Sequence, residues 1–261
     1  MNIVVLVKQV PAISDIKIDA KEGNLVRVGA PSKLNPVDMN AIEAALAVKD
    51  AVGGTISIIT MGPATAGDAL REGIAIGVDK GILISDDRMA GSDTLATGKI
   101  LAKSIEKLGG ADLVFTGKRS TDGDTGQIPP AVAQYLGFSL ASHADSVEVT
   151  DSVVKITRKN NGGIETVETP LPAVVSVTAD ANTPRQARIK GKMAAKKAVF
   201  DALKAEDLGL TAEEVGVAGS ATDVTALFAP EPHPTGTMIE GATVAEAVTK
   251  LVAELHDKNA L

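Results

Sequence analysis

The sequence predicts an α/β protein built on a doubly wound, mostly parallel β-sheet. In the first half of the chain, short runs of Val, Ile and Leu alternate with longer segments whose apolar residues recur at helical spacing. Strands that alternate with helices favour a parallel sheet with right-handed crossovers. From residue 144 onward, apolar and polar residues alternate singly, which indicates an antiparallel insertion.

The predicted strands of the main sheet are continuous apolar runs, as expected for strands covered on both faces. They comprise residues 3–7, 55–61, 81–85, 112–116 and 173–179. Residues 16–18 and 24–28 are predicted to form a short excursion with a turn at Gly23. Because ligands of open α/β sheets lie beyond the carboxyl ends of the strands, we expect Leu6 and the residues just after it to face any nucleotide.

Helix starts follow two of these strands. Asn35 is a predicted N-cap, with Pro36 at the first helical position and Asp38 in the first turn. Thr94 and Thr97 lie at or near the start of a later helix. Their hydroxyls are either helix caps or ligand contacts, and the pattern leaves both interpretations open.

The antiparallel insertion is predicted to be a hairpin at about residues 146–170. Residues 146–150, 153–158 and 164–169 alternate apolar and polar side chains, and residues 160–163 read Asn-Asn-Gly-Gly. Such a turn sequence between alternating segments is a strong hairpin signal.

Composition excludes several classes of function. The chain has 261 residues, a net charge of −7, one Tyr, four Phe and no Trp, which argues against a nucleic-acid partner that needs a basic face and stacking rings. It has no Cys and three widely separated His residues, so we expect no metal site. No acid/base dyad is found, and no catalytic residue is assigned. The apolar N-terminus lacks a basic region, and no segment approaches a membrane span, so we expect a cytoplasmic protein.

Residues 116–130 are the strongest candidate for a binding site, because they follow an apolar strand and precede a helix. They supply glycines, hydroxyls and charges of both signs: Gly117, Lys118, Arg119, Ser120, Thr121, Asp122, Gly123, Asp124, Thr125 and Gly126. Glycine permits close backbone approach, and a helix N-terminus favours an anion. The segment therefore predicts a phosphate cradle. Its spacing matches neither of the common phosphate-loop motifs, so a solvated, glycine-rich turn is the alternative.

Residues 185–197 form a basic stretch with six basic residues and no acidic one, and Ile189 and Met193 are apolar positions within it. A basic run is usually a solvated face. In an acidic protein, however, positive charge concentrated beside exposed apolar side chains suggests a docking surface for an acidic partner. Both interpretations stay open at this point.

The C-terminal part, residues 204–261, is predicted to be an arm that reaches another subunit. Residues 204–234 show little periodicity, are rich in Gly, Ala, Ser, Thr and Pro, and are too many for an internal loop. An apolar stripe follows on a C-terminal helix, formed by Val244, Val248, Leu251, Val252 and Leu255.

Several of these motifs together resemble the beta subunit of the electron-transfer flavoprotein. The resemblance covers nearly the whole chain and is strongest in the segments Val-Lys-Gln-Val-Pro at 7–11, Leu-Asn-Pro-Val-Asp at 34–38, Met-Gly-Pro at 61–63, Asp-Gly-Asp-Thr-Gly-Gln at 122–127, Ala-Asn-Thr-Pro-Arg at 181–185 and Lys-Gly-Lys-Met-Ala-Ala-Lys-Lys at 190–197. The stretch that ends at residue 197 is specific to that family.

The resemblance implies a heterodimer with an alpha subunit that holds an FAD. It also implies a Rossmann-like, adenine-nucleotide-binding α/β domain over residues 1–203, with the basic docking stretch at 182–197. The nucleotide contacts of the family fall here on Leu6, Asn35, Pro36, Val37, Asp38, Met61 and residues 117–125, to which the local pattern adds Thr94 and Thr97. The residues implied to dock a partner are Arg185, Arg188, Ile189, Lys190 and Lys192.

The nucleotide is either FAD or AMP. Family members that only ferry electrons bind AMP and have extra residues in this loop, whereas here it runs directly through Thr-Asp-Gly-Asp-Thr at 121–125. The short form resembles the electron-bifurcating and nitrogen-fixation branches, in which the beta subunit binds FAD and takes hydride from NADH. The implied partners are then an acyl-CoA dehydrogenase and a ferredoxin or flavodoxin, with a quinone reductase as another acceptor.

Two residues depart from the family pattern. Gly126 occupies a position where Ala is expected in bifurcating members. Ile189 stands where familiar members have the Leu that anchors the partner dehydrogenase, which is a conservative change.

Overall fold

A seven-stranded, wholly parallel sheet forms the centre of the protein. The computed structural model describes residues 1–12, 31–150, 152–200, 202–226 and 236–260, and the predicted excursion at 16–28 lies outside them. The strands are β1 (Asn2–Leu6), β2 (Gln9–Pro11), β3 (Ser32–Leu34), β4 (Thr55–Met61), β5 (Lys80–Ile84), β6 (Leu113–Gly117), β7 (Ser139–Ala144), β8 (Ser146–Val149), β9 (Val153–Asn160), β10 (Gly163–Pro170), β11 (Ala173–Val177) and β12 (Ala202–Leu203).

The α-helices cross between these strands. They are α1 (Pro36–Val52), α2 (Gly67–Ile76), α3 (Thr94–Lys107), α4 (Ile128–Leu136), α5 (Ile189–Lys197) and α6 (Val244–Asp257). The order of the main sheet is β12-β5-β4-β1-β6-β11-β7. Successive strands are added on one side of β1 and then on its other side, so the strand order reverses there, which confirms the predicted doubly wound α/β fold.

The core consists of two apolar layers, one on each face of the sheet. One layer joins the sheet to α1, α2 and the hairpin, through Ile42, Leu70 and Ile156 among others. The other joins it to α3 and α4, through Ile100 and Val132. The strands are apolar on both sides because both of their faces are covered.

The predicted antiparallel insertion is confirmed. β8, β9 and β10 form a separate three-stranded sheet, in which Gly163 pairs with Asn160 at the hairpin turn. β11 then returns to the main sheet between β6 and β7, as its continuous apolar run predicts.

The first compact unit of the chain extends beyond residue 203, where the predicted α/β domain ends. The chain forms two compact units, residues 1–226 and 227–261. Leu208, Leu210 and Val215 are buried in the second core layer, although their segment has no helical or strand periodicity. The short 3₁₀ turn at Glu206–Leu208 buries only Leu208, and the turn at Ala212–Glu214 buries none of its residues. No repeating pattern therefore reveals the packing of this segment.

The second unit contains the predicted C-terminal helix, α6. Thr243 caps it by accepting a hydrogen bond from Glu246 N. Val244, Val248, Leu251 and Val252 are more than two-fifths exposed. Within the part of the chain that the structure describes, no helix, α6 included, is long and apolar enough to cross a membrane.

Candidate functional site

The carboxyl ends of β1, β4 and β6 meet at one edge of the sheet. Leu6 pairs with Ile59 on one side and with Thr116 on the other. Leu6 is buried and Met61 is half-buried. The segment 118–127, hereafter the site loop, leaves β6 at this edge, so the structure brings the predicted residues Leu6, Met61 and Gly117 together with the loop.

Asn35 fastens the site loop from the start of α1. Its side-chain nitrogen Nδ2 donates to the carbonyl oxygen of Arg119 at 3.0 Å, and its Oδ1 accepts from the backbone N of Thr121 at 3.3 Å. Asn35 does occupy the N-cap position of α1, but its side chain makes no capping bond. The predicted N-cap position is therefore confirmed, but the buried amide is engaged by a loop distant in sequence and not by the helix.

Asp38 joins the ends of β1 and β6. One carboxylate oxygen accepts from Lys8 N at 2.8 Å and the other from Gly117 N at 3.2 Å. Burial raises the pKa of Asp38 to about 7, while hydrogen bonds from Asn35 and from the two backbone N–H groups act in the opposite direction. Because both oxygens are engaged within the protein, Asp38 positions the strand ends. The neighbouring Pro36 is exposed and Val37 is half-buried at the same helix start.

Glycine is the only residue type that fits at position 117, in the junction between β6 and α1. A Cβ atom built at Gly117 would lie 2.4 Å from Asp38 Oδ1 and 3.1 Å from Asp38 N. Contacts that short do not occur between real atoms, and Asp38 cannot retreat because it is buried and held by hydrogen bonds. The glycine is thus needed for the packing of β6 against α1.

Lys8 is one of the residues just after Leu6 that we expect to face a nucleotide, but it is not among the contacts predicted by name. Its ammonium Nζ lies 2.8 Å from a carboxylate oxygen of Asp122 in the site loop. Burial acts to raise the pKa of Asp122, but hydrogen bonds from Lys8 and Ser120 outweigh it, so the pKa is lowered. Lys8 follows the apolar run of β1 directly and therefore lies at the carboxyl edge of the sheet. This position is the signal that could have identified Lys8.

The site loop is exposed and balances its own charges. Residues 121–125 are exposed, and Arg119 Nη1 lies 3.0 Å from a carboxylate oxygen of Asp124. Asp124 and Gly126 have positive φ angles, 53° and 64°, and a Cβ at Gly126 would lie 3.3 Å from the carbonyl oxygen of Lys118. Glycine therefore suits position 126, where the family comparison leads one to expect Ala.

Gly123 has open space around it. A Cβ there would meet Ser120 Oγ at 3.6 Å and Lys8 Nζ at 3.9 Å, which are ordinary contacts, and its φ lies outside the positive range. The backbone conformation at Gly123 therefore does not require glycine. The side of the loop at Gly123 remains accessible to a ligand.

Thr94 and Thr97 lie on the first turns of α3, beside the end of the loop. Thr94 Oγ1 donates to Gln127 Oε1 at 2.6 Å, and Thr97 is half-buried. The side chain that caps α3 is Asp93, which accepts from Ala96 N at 2.9 Å. Thr94 thus contacts the site loop, and the capping interpretation of the hydroxyls does not hold for it.

A buried hydroxyl without a partner lies at the same edge. Thr116 is 4% exposed, and within the described residues its Oγ1 has no hydrogen-bond partner. It shares a face of the sheet with Val114 and lies beside Leu6. A buried polar atom without a partner requires an explanation. A bound group with a hydrogen-bonding edge would supply one, so the residues present fit an adenine nucleotide.

Two concavities that the structure describes are lined by other residues. One, of about 420 Å³, lies at the amino ends of the strands beside Asn2 and Ser57. The other, of about 330 Å³, lies between α3 and residues 213–221. We place the site at the loop, because ligands of open parallel sheets bind at the carboxyl ends, where strand order reverses.

The basic stretch has an anchored half and an exposed half. Asn182 exchanges hydrogen bonds with Asn40 of α1. Arg185 pairs with Glu43 and Asp50, each at 2.9 Å. Arg185 therefore fixes the stretch to α1 and is not free to steer a partner, because two carboxylates engage its guanidinium.

The exposed half begins at α5. A Cβ at Gly191 would lie 2.1 Å from the carbonyl oxygen of Ala75, so α5 packs closely on α2 through this glycine. The opposite side of α5 is open: Ile189 is 80% and Met193 58% exposed. The side chains of Arg188, Lys190 and Lys192 are exposed around Ile189.

The fold and the structured loop at its carboxyl edge define a protein of the doubly wound α/β class. The family model described as "Electron transfer flavoprotein domain" matches residues 23–208. The chain is 38% identical over 260 residues to the "Caffeyl-CoA reductase-Etf complex subunit CarD" of Acetobacterium woodii, covering 99% of each chain. It is 38% identical to the "Electron transfer flavoprotein subunit beta" of Thermoanaerobacterium thermosaccharolyticum, covering 100% of each, and 36% identical to "Protein FixA" of Azorhizobium caulinodans, covering 99% of this chain and 95% of that protein.

The chain therefore belongs to the electron-transfer flavoprotein beta-subunit family. Its role is that of an electron-transfer subunit, and an alpha subunit is its partner. Members of this family bind flavin or AMP.

Proposed function

We propose that this subunit binds FAD at the site loop, accepts hydride from NADH, and passes electrons to the FAD of its alpha subunit. From there the electrons go to an acyl-CoA dehydrogenase, with a ferredoxin or flavodoxin as second acceptor, in flavin-based electron bifurcation. The single observation that carries this proposal is the short, fastened loop over residues 118–127 at the carboxyl edge. The full-length similarity to a subunit of a caffeyl-CoA reductase-Etf complex and to FixA supports it.

The residues of this chain bind and orient the nucleotide. Asn35 and Lys8 hold the loop across the ends of β1 and β6, and Gly123 leaves room for close approach of a pyrophosphate. The amino end of α4 follows the loop and favours a negative charge through the helix dipole. Its first turn reads Ile-Pro-Pro, so Pro129 and Pro130 contribute no N–H group there. The flavin itself supplies the redox chemistry when bound, so no catalytic acid or base is required of the protein.

The alternative function is that of a structural beta subunit that holds AMP. The same hydrogen bonds that shape the loop for a flavin nucleotide would retain an AMP whose only role is to stabilise the fold. The observation that favours this alternative is the fixed character of the loop: the loop is tied at Arg119, Thr121 and Asp122.

The docking surface for the acceptor dehydrogenase is proposed to be the exposed side of α5. Ile189 is a large apolar side chain in solvent, and the cationic side chains of Arg188, Lys190 and Lys192 surround it. An apolar anchor within a charged rim is the arrangement of a transient interface.

Two measurements on the purified heterodimer test the cofactor. Nucleotides released on denaturation are identified and counted, and we expect two FAD per heterodimer. Anaerobic titration with NADH is expected to bleach the flavin of this subunit. One FAD plus one AMP, or a second flavin that NADH does not reduce, would support the structural alternative instead.

A substitution at Gly123 tests the location of the site. We expect Gly123→Val to abolish retention of the second nucleotide, because a branched side chain fills the approach. Its melting temperature should stay near that of wild type from which the nucleotide has been removed. Gly162→Val is the matched control, since Gly162 lies in the exposed hairpin turn with open space around it. Wild-type retention in Gly123→Val would show that the pyrophosphate binds elsewhere.

A further inference from the structure

One carboxylate, that of Asp93, holds two separate parts of the chain together. Its Oδ1 accepts from Ala96 N at 2.9 Å and caps α3. Its Oδ2 accepts from Ala221 N at 2.9 Å, from Thr222 N at 3.0 Å and from Thr222 Oγ1 at 3.1 Å. Burial acts to raise the pKa of Asp93, but the hydrogen bonds from these donors outweigh it, so the pKa is lowered. The carboxylate is thus charged and fully engaged at neutral pH.

Serine side chains reinforce the same junction. Asp93 N donates to Ser220 Oγ at 2.8 Å, and Ser220 Oγ donates to the carbonyl oxygen of Gly216 at 2.7 Å. Gly216 N donates to Ser92 Oγ at 2.9 Å. Residues 216–222, which we call the anchored segment, are therefore tied to the two residues that precede α3. This segment lies shortly before the end of the first unit at Ala226.

The junction continues into the site loop. Thr94, the residue after Asp93, donates through Oγ1 to Gln127 Oε1 at 2.6 Å, and Gln127 is the last residue of the loop. An unbroken path of contacts leads from Thr222 through Asp93 and Thr94 to the loop. Asp93 and the residues that it contacts in the anchored segment are not among the predicted nucleotide contacts. Neither the composition of the chain nor the spacing of its motifs indicates that they interact.

We propose that Asp93 is a positioning residue that couples the anchored segment to the nucleotide site. Displacement of residues 216–222 frees the first turn of α3 and weakens nucleotide binding at the loop. Coupling between two sites is reciprocal, so bound nucleotide holds the anchored segment in place more firmly. This inference rests on the proposed nucleotide site and adds its regulation by the segment that leads to the C-terminal unit.

The variant Asp93→Asn separates coupling from capping. Asparagine is as good an N-cap as aspartate, so its oxygen keeps the bond to Ala96 N. Its amide nitrogen, however, is a donor and cannot accept from the three donors of Ala221 and Thr222. The helix is kept and the anchored segment is released.

The matched control is Asp86→Asn. Asp86 accepts from Ala205 N at 3.1 Å and pairs with Arg88, so it also fixes the C-terminal part of the first unit with a carboxylate. It contacts neither α3 nor the site loop in these bonds. A general loosening of the C-terminal part would affect both variants, whereas the proposed coupling affects only Asp93→Asn.

The test measures two quantities on heterodimers of wild type and variants. Hydrogen exchange of the peptide that covers residues 216–226 reports release of the segment, and timed gel filtration with chromatographic assay reports loss of the second nucleotide. In Asp93→Asn we expect faster exchange and a nucleotide loss rate about fivefold or more above wild type. In Asp86→Asn we expect the wild-type loss rate. In wild type, removal of the nucleotide is expected to speed exchange of the same peptide.

The outcomes separate the two proposals. Faster exchange in Asp93→Asn with a wild-type rate of nucleotide loss overturns the coupling, and unchanged exchange overturns the anchoring role itself. If Gly123→Val loses the nucleotide while Asp93→Asn does not, the site stands and only this inference fails. If both variants retain it, the proposed site fails and the coupling fails with it.

Discussion

The site loop and helix α5 both concentrate charge, but they use it differently. In the loop, cations and carboxylates lie next to each other: Lys8 pairs with Asp122 at 2.8 Å, and Arg119 pairs with Asp124 at 3.0 Å. On α5 the charges have one sign. Within the described residues, no carboxylate lies at ion-pair distance from Lys190 or Lys192.

This difference corresponds to two kinds of binding. Pairs at the protein surface contribute little to stability, so the ion pairs of the loop chiefly fix its shape before a ligand arrives, which lowers the ordering cost of binding. In the docking proposal above, the unpaired cations of α5 raise the rate of encounter with an acidic partner through their field. The proposals thus assign a preorganised region and a steering region to one α/β scaffold.

Among the substitutions, the largest effect is expected at Gly117, where the loop leaves the sheet. We expect Gly117→Ala to lower the free energy of unfolding by about 3 kcal/mol, because the added Cβ overlaps Asp38 Oδ1 in a packed junction. Chemical denaturation of the purified subunit measures it. Gly162→Ala, in the exposed hairpin turn, is the control and should be neutral. Equal stability of both variants would show that the junction is not rigid.

The next effect concerns the anchor on α5. Ile189→Ala is expected to weaken association with the acceptor dehydrogenase by about 2 kcal/mol and to raise its apparent KM. Flavin content and melting temperature should remain those of the wild type. The control is Ile164→Ala, because Ile164 on β10 is equally exposed, at 82% against 80%. If Ile189→Ala melts the subunit and leaves acceptor kinetics intact, Ile189 belongs to the core.

The pH dependence of stability tests the buried carboxyl behind the loop. The pKa of Asp38 is about 7 in the folded protein, above its ordinary value of 3.8. The folded state therefore holds a proton that the unfolded state releases, and stability is lost as pH rises from 4 to 7, by at most about 1.4 kcal/mol per pH unit. Denaturation curves of wild type and Asp38→Asn should converge over this range. Parallel pH profiles would contradict the raised pKa.

The smallest effect is expected from single charges on α5. Lys190→Glu or Arg188→Glu should chiefly lower the association rate with the dehydrogenase, with an effect that shrinks as salt is added. Arg185→Glu is the informative comparison. Because Arg185 is paired with Glu43 and Asp50, we expect it to change stability instead of steering. If all three variants lowered the association rate by the same salt-dependent factor, Arg185 would steer the partner as the exposed cations do. The distinction between the anchored and exposed halves of the basic stretch would then be wrong.

The sequence by itself determined the scaffold. Five of the seven strands of the sheet were predictable because burial on both faces requires continuous apolar runs, such as residues 3–7 and 112–116, which are local patterns. The two edge strands were not predicted, because β7 is only partly buried and β12 has two residues. The hairpin was predictable because its turn sequence and alternation are equally local. The family could be recognised for the same reason: its motifs are short, contiguous segments.

The tertiary structure alone decided what the polar side chains do. Asn35 reads as a helix cap in sequence, yet its amide bonds to residues 119 and 121. Arg185 reads as one of six free cations, yet two carboxylates of α1 hold it. Asp93 carries no signal beyond a cap, yet it binds residues 221 and 222. The partners of polar groups are set by the few atoms that folding brings within 3 Å or so, and no local pattern encodes which distant segment supplies them.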